Sequence, residues 1–115
     1  AMLAVAKLRS QLDELFEQYD LLLTPTMAVS AFPINERPSI IDGHDVNSFW
    51  GYTPFTYTFN LTGQTAASIP CGFSADALPV GLHIVGRRRD EITVLKASAA
   101  FEAAKPWAHL RPPVS

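Results

Sequence analysis

Serine, histidine, cysteine and a run of arginines are the residues of this chain that could carry chemistry, and their spacing decides whether they do. A nucleophilic serine needs a base within hydrogen-bond reach and donors for an oxyanion, often supplied by a glycine-rich turn. The nearest approach is Gly72-Phe73-Ser74-Ala75-Asp76. It lacks the second glycine of a nucleophile elbow and falls where a hairpin turn is expected. His44, His83 and His109 are scattered, and neither a His-x-x-x-His nor a Cys-x-x-Cys pair occurs, so zinc has no ligand set. His83 reads as a satisfied polar residue on the exposed face of a strand. Neither a Gly-x-Gly-x-x-Gly nor a phosphate-loop sequence is present, so no cofactor is expected. Arg87-Arg88-Arg89 is the one basic run, and Asp90-Glu91 follow it at once, which reads as a solvated loop entering a helix rather than an anion site.

The strongest local anomaly is aromatic. Phe49, Trp50, Tyr52, Phe55, Tyr57 and Phe59 crowd one short segment. Aromatic side chains bury large areas and usually fill a core; gathered beside a long loop they also suit the wall of a pocket for an apolar or aromatic ligand. Composition leaves both readings open.

The elements that must position these residues follow from periodicity and punctuation. Val5, Leu8, Leu12, Leu15, Phe16 and Tyr19 recur at helical spacing and predict an amphipathic helix over 1–19. Leu21-Leu22-Leu23-Thr24, stopped by Pro25, predicts a strand within 20–26, buried on both faces and central in its sheet. Residues 27–51 lose periodicity, which predicts a long loop with a functional or packing role. Thr53 as cap and Pro54 in the first turn predict a short helix over 53–61, ended by Gly63. A hairpin is expected over 66–85, with Pro70 requiring an edge or a bulge. Asp90 can cap a last helix over 90–105 with Ile92, Leu95 and Ala99 on one row and Val94 and Phe101 beside it, and 106–115 reads as an extended tail.

Composition bounds the rest. The 115 residues, 48% hydrophobic and 17% charged, describe a single unit, and area scaling for its mass predicts a folded surface of roughly 6,000 Å². A net charge of −2 gives no basic field for nucleic acid or an anionic membrane surface. No run reaches the length of a membrane helix. Cys71 is the lone cysteine, so no internal disulfide forms and the cytoplasm is the default expectation. Asn60-Leu61-Thr62 matches a glycosylation sequon and, with no secretory signal seen, reads as chance.

Four linked segments give a resemblance that periodicity does not. Tyr19-Asp20-Leu21-Leu22-Leu23-Thr24-Pro25-Thr26, Tyr52-Thr53-Pro54-Phe55, Phe59 to Gly72 and Leu78 to Gly86 together resemble the C-terminal part of the amidase signature family, over roughly residues 1–107. The resemblance implies an α/β fold, here the C-terminal part of the amidase-signature fold. A short mixed β-sheet of about three to four strands would be covered by two or three helices. It implies a fragment of an enzyme that hydrolyses carboxylic amides through a lysine and two serines lying upstream of this chain. Lys7, Lys96 and Lys105 sit in or at the ends of the two amphipathic helices and no two serines are adjacent, so no member of that triad maps here.

By the same resemblance Tyr52, Thr53, Thr56, Tyr57 and Leu78 line one side of the acyl pocket. Thr53 stands where glutamine-using relatives carry an acidic residue, and His83 where a glutamine is common. The partners implied are a small-molecule amide and the N-terminal part of the same amidase, with neither nucleic acid nor membrane. The Leu21–Thr24 strand, guarded only by Asp20, would also drive self-association of the isolated chain. The competing expectation is a noncatalytic binding or oligomerisation module that kept this part of the fold.

Overall fold

The computed structural model of the chain describes residues 1–114. Its first helix, α1, runs Met2–Gln18, and its last two turns carry the buried Leu12 and Phe16. A four-residue strand, β1, follows at Leu22–Pro25. Within the long segment after it, Asp42 and Gly43 adopt positive φ and turn Ile40–Ile41 (β2) back onto His44–Asp45 (β3), so the predicted loop contains a small antiparallel ribbon.

The short helix α2 is confined to Tyr57–Thr62. Thr53 is not its cap: residues 54–56 form turns first, Thr56 holds the cap position, and Gly63 ends the helix at φ 81°. Strands β4 (Thr65–Phe73) and β5 (Pro79–Gly86) form the hairpin, and α3 occupies Glu91–Ala104. The Asp90 carboxylate accepts from the Thr93 amide at 3.2 Å and so satisfies one of the donors exposed at the start of α3.

The sheet order is β1-β5-β4 with both pairings antiparallel, and this corrects the sequence reading of two strands. The Leu21–Thr24 run is an edge strand, with Leu23 57% exposed. The strand buried on both faces is β5. His83 and Val85 point to one face, where Val85 joins Leu12, Phe16 and Phe59 from α1 and α2. Ile84 points to the other, where it meets Ile69 and Val94 with Leu82, Ala97 and Phe101 around them. Helices therefore cover the sheet on both sides. An alternation of apolar and polar residues looks half-exposed, but here each face received its own helices.

Pro70 lies on the outer strand β4, and the register shifts between Pro70 and Gly72, where Gly72 takes φ 147°. Lys105 closes the far end of α3 onto this bulge by donating to the Cys71 carbonyl at 2.8 Å. On α3 the inward row is Val94, Ala97 and Phe101, whereas Ile92 and Leu95 are 69% and 64% exposed. Gly86 fixes that choice: a Cβ there would lie 2.7 Å from Val94 Cγ2, so the missing side chain lets α3 settle with Val94 against the strand. Trp107 packs on the same cluster, which ties the start of the predicted tail to the core; the tail's last residue, 115, lies outside the described residues.

Candidate functional site

The segment singled out by sequence is locked by its own backbone. Thr53 donates its hydroxyl proton to the Trp50 carbonyl at 2.9 Å, and its own carbonyl accepts from the Thr56 amide and hydroxyl, each at 3.3 Å. Its hydroxyl therefore keeps only acceptor lone pairs for anything that approaches. Tyr52 is half-buried, with its ring edge-on to Phe32 at 5.1 Å and its carbonyl accepting from the Ala28 amide at 3.2 Å. Thr56 is half-buried and Tyr57 is exposed at the start of α2. Leu78 sits elsewhere, in the β4–β5 turn, exchanging hydrogen bonds with Ser74.

The aromatic cluster divides between its two readings. Phe59 is core, packed with Phe16 and Val85. Phe49 and Trp50 are 63% and 66% exposed, and the Arg37 guanidinium stands 4.8 Å above the Phe49 ring.

A cleft of about 580 Å³ opens between the chain leaving β1 and the start of β5. Met27, Ala28 and Phe32 form one wall, Pro79, Val80 and Gly81 the other. Neither Tyr52 nor Leu78 lines this cleft: Tyr52 touches its wall residue Phe32, and Leu78 precedes Pro79 in the chain. Thr53, Thr56 and Tyr57 do not line it. Met27, Phe32 and Val80 were missed by the residue-level reading; the aperiodic stretch after Pro25 was the one sequence signal that pointed to them.

Polar groups organise the sheet face above Gly81. The Thr26 and Ser68 hydroxyls meet at 2.7 Å, and Thr24 Oγ1 lies 3.0 Å from His83 Nδ1. His83 is not on an exposed face: it is 4% exposed, with its ring 5.5 Å from that of Phe59. Burial holds its imidazole below the ordinary pKa, so it is neutral at physiological pH. The arginines after β5 are also more than a solvated loop. Arg87 donates to the carbonyls of Phe16 and Tyr19 and pairs with Asp20, satisfying acceptors left open at the end of α1, and Arg88 pairs with Asp13.

Serine side chains bond to Thr26, to the Leu78 amide and to the Val94 carbonyl. Among the described residues no serine side chain is hydrogen-bonded to a histidine or lysine, and no cluster of three His, Cys, Asp or Glu side chains could hold a metal ion. No described helix is long and apolar enough to cross a membrane. Fold and site together define a layered α/β unit that carries clefts and positioning contacts but, among the described residues, no paired nucleophile and base.

The family of that unit is settled by comparison. A sequence model of the amidase family matches residues 1–95, and the chain belongs to that family. An acylamidase of Rhodococcus erythropolis is 40% identical over 95 residues, which is 82% of this chain and 20% of the relative. A glutamyl-tRNA(Gln) amidotransferase polypeptide of Thermodesulfovibrio yellowstonii is 38% identical over 105 residues, 91% of this chain and 21% of its own length. The crystal structure of a bacterial aryl acylamidase of the amidase signature family superposes with a TM-score of 0.81 at 36% identity, over 91% of this chain and 22% of that one. The chain thus spans about a fifth of the length of the relatives it matches.

Proposed function

We propose that this chain is the C-terminal part of an amidase that hydrolyses carboxylic amides to an acid and ammonia or an amine. In that reading the Ser-Ser-Lys triad lies in the remainder of the enzyme, and this part supplies scaffold and one wall of the acyl pocket. The observation that carries the reading is surface. The chain exposes 8421 Å² where area scaling for its mass gives roughly 6,000 Å². Its radius of gyration is 16.1 Å, against roughly 13 Å for a compact domain of this length. A unit with that much excess surface is one side of a larger body, as its share of its relatives' length also suggests.

Tyr52, Thr53, Thr56 and Tyr57 form the wall facing the acyl group, and Leu78 approaches it from the hairpin. In this reading the chain is inert alone. The test is ammonia release from simple aliphatic and aromatic amides, measured on the 115-residue chain and on the full open reading frame that contains it. Turnover by the longer protein and none by the chain is the expected result. Turnover by the chain that a serine substitution abolishes, or a full frame without a Gly/Ser-rich segment and a matching lysine, would overturn it.

A further inference from the structure

The cleft between the chain leaving β1 and the start of β5 holds about 580 Å³, the size of a small-molecule site. No charged side chain lines it. Met27, Val29 and Phe32 face it from one wall and Pro79 and Val80 from the other, and the Ser30 hydroxyl is the one polar side-chain group in its lining. A charged group entering here would give up its water with nothing to replace it. An apolar group would bury area against both walls.

Both walls are fixed before anything enters. The Thr26 amide donates to the Gly81 carbonyl at 3.1 Å, which ties one wall to the other. The Ala28 amide donates to the Tyr52 carbonyl at 3.2 Å, and Phe32 meets the Tyr52 ring edge-on at 5.1 Å, so the first wall rests on the segment around Tyr52. On the other side the Ser74 amide donates to the Leu78 carbonyl at 2.8 Å and the Leu78 amide to the Ser74 hydroxyl at 3.2 Å, closing the turn just before Pro79. A preformed site spends no binding energy on ordering its own walls.

The Phe32–Tyr52 contact also joins the cleft to the proposed acyl wall, because Phe32 lines the one and Tyr52 belongs to the other. The two substituents of an amide diverge from a single C–N bond, so room for the amine group must adjoin room for the acyl group. We propose that this cleft receives the amine side of the substrate, which is a secondary amide whose nitrogen carries an uncharged apolar group such as an aromatic ring. The inference rests on the amidase reading above and on Tyr52 standing in the acyl wall. Met27, Phe32 and Val80 then set specificity for the amine. Hydrolysis releases an apolar amine, with water supplying the hydroxyl of the new acid and the proton that the nitrogen gains. A primary amide leaves the cleft empty and forgoes its binding energy.

The test measures kcat/KM of the full open reading frame on three amides that differ on one side at a time. Acetamide and acetanilide share the acyl group, whereas acetamide and benzamide share the amine side. Val80→Phe and Met27→Phe fill the cleft from its two walls. Each should lower the acetanilide-to-acetamide ratio about tenfold, and by about fivefold more than it lowers the benzamide-to-acetamide ratio. Ratios taken within one variant cancel any loss of folded protein. An acetanilide-to-acetamide ratio unmoved in both variants, or a greater fall in the benzamide-to-acetamide ratio, would overturn the proposal and leave the amidase reading standing. Turnover of none of the three amides by the unaltered full-length protein would overturn both.

Discussion

Placing a methyl group on the central strand at Gly81 tests how the sheet is assembled. Thr26 follows β1, Ser68 belongs to β4, and their hydroxyls meet across Gly81 at 2.7 Å. A Cβ at residue 81 would fall 2.7 Å from Ser68 Oγ, 2.8 Å from Thr26 Oγ1 and 3.2 Å from Thr26 Cβ. Both distances are too short for a methyl, so the two hydroxyls must shift and the bond between them is strained or lost. Forcing a methyl into occupied space costs about 1–3 kcal/mol, and the lost hydrogen bond adds about 1 kcal/mol. The reduced freedom of the unfolded alanine chain offsets about 0.4–1 kcal/mol. Gly81→Ala should therefore destabilise the chain by about 1–3 kcal/mol. For a chain this size that corresponds to a Tm lower by about 4–12 °C.

Urea and thermal unfolding at one fixed protein concentration measure this, because any association would shift both midpoints. Ser68→Ala removes the nearer oxygen, so the double variant should be more stable than the sum of the two single changes by about 1 kcal/mol. If Gly81→Ala is neutral or stabilising, or if the double variant is merely additive, the close packing across β5 is wrong.

Three further outcomes follow from named contacts. His83 has a pKa below that of the unfolded chain, so the unfolded state takes up a proton that the folded state resists. Stability is thus fully present above pH ~6.5 and falls as the pH drops through the folded pKa; the fall in Tm between about pH 7.5 and about pH 5.5 should shrink in His83→Gln, and an unchanged fall would place the titration elsewhere. In the proposed full-length amidase, Thr53 presents no charge, and an unpaired ammonium beside it would meet a desolvation penalty of several kcal/mol. That amounts to a factor of about a thousand against glutamine relative to an uncharged amide of similar length; Thr53→Asp should narrow the ratio, and an unmoved ratio would remove residue 53 from the acyl wall. The free edge of β1 should make the isolated chain associate at high micromolar concentration, with Leu23→Lys shifting it toward monomer; sedimentation of the unaltered chain as a clean 12.6 kDa species would refute this.

Features encoded within a few residues were legible in the sequence. The spacing of Leu8, Leu12 and Phe16 marked α1, Asp90 marked the start of α3, Gly63 the end of α2, and Pro70 the irregularity in β4. Each rests on a local cause: a helical stripe, a side chain that reaches a nearby amide, a residue free to adopt positive φ, or a missing donor. Family membership was legible too, because four ordered segments carry it jointly.

Strand order was not legible, because pairing β1 and β4 to β5 depends on contacts between residues far apart in the chain. Leu21-Leu22-Leu23 and the stretch around His83 are both apolar enough to be central. The β1-β5-β4 order placed the leucines at the edge and enclosed His83 between strands and helices. Helix α3 is apolar around most of its circumference, so periodicity could not orient it. The gap at Gly86 turned Val94 inward and left Ile92 and Leu95 outside. The Arg88–Asp13 ion pair is likewise a tertiary product: the two residues carry no shared local signal, and only the packing of α1 beside the loop after β5 brings them together.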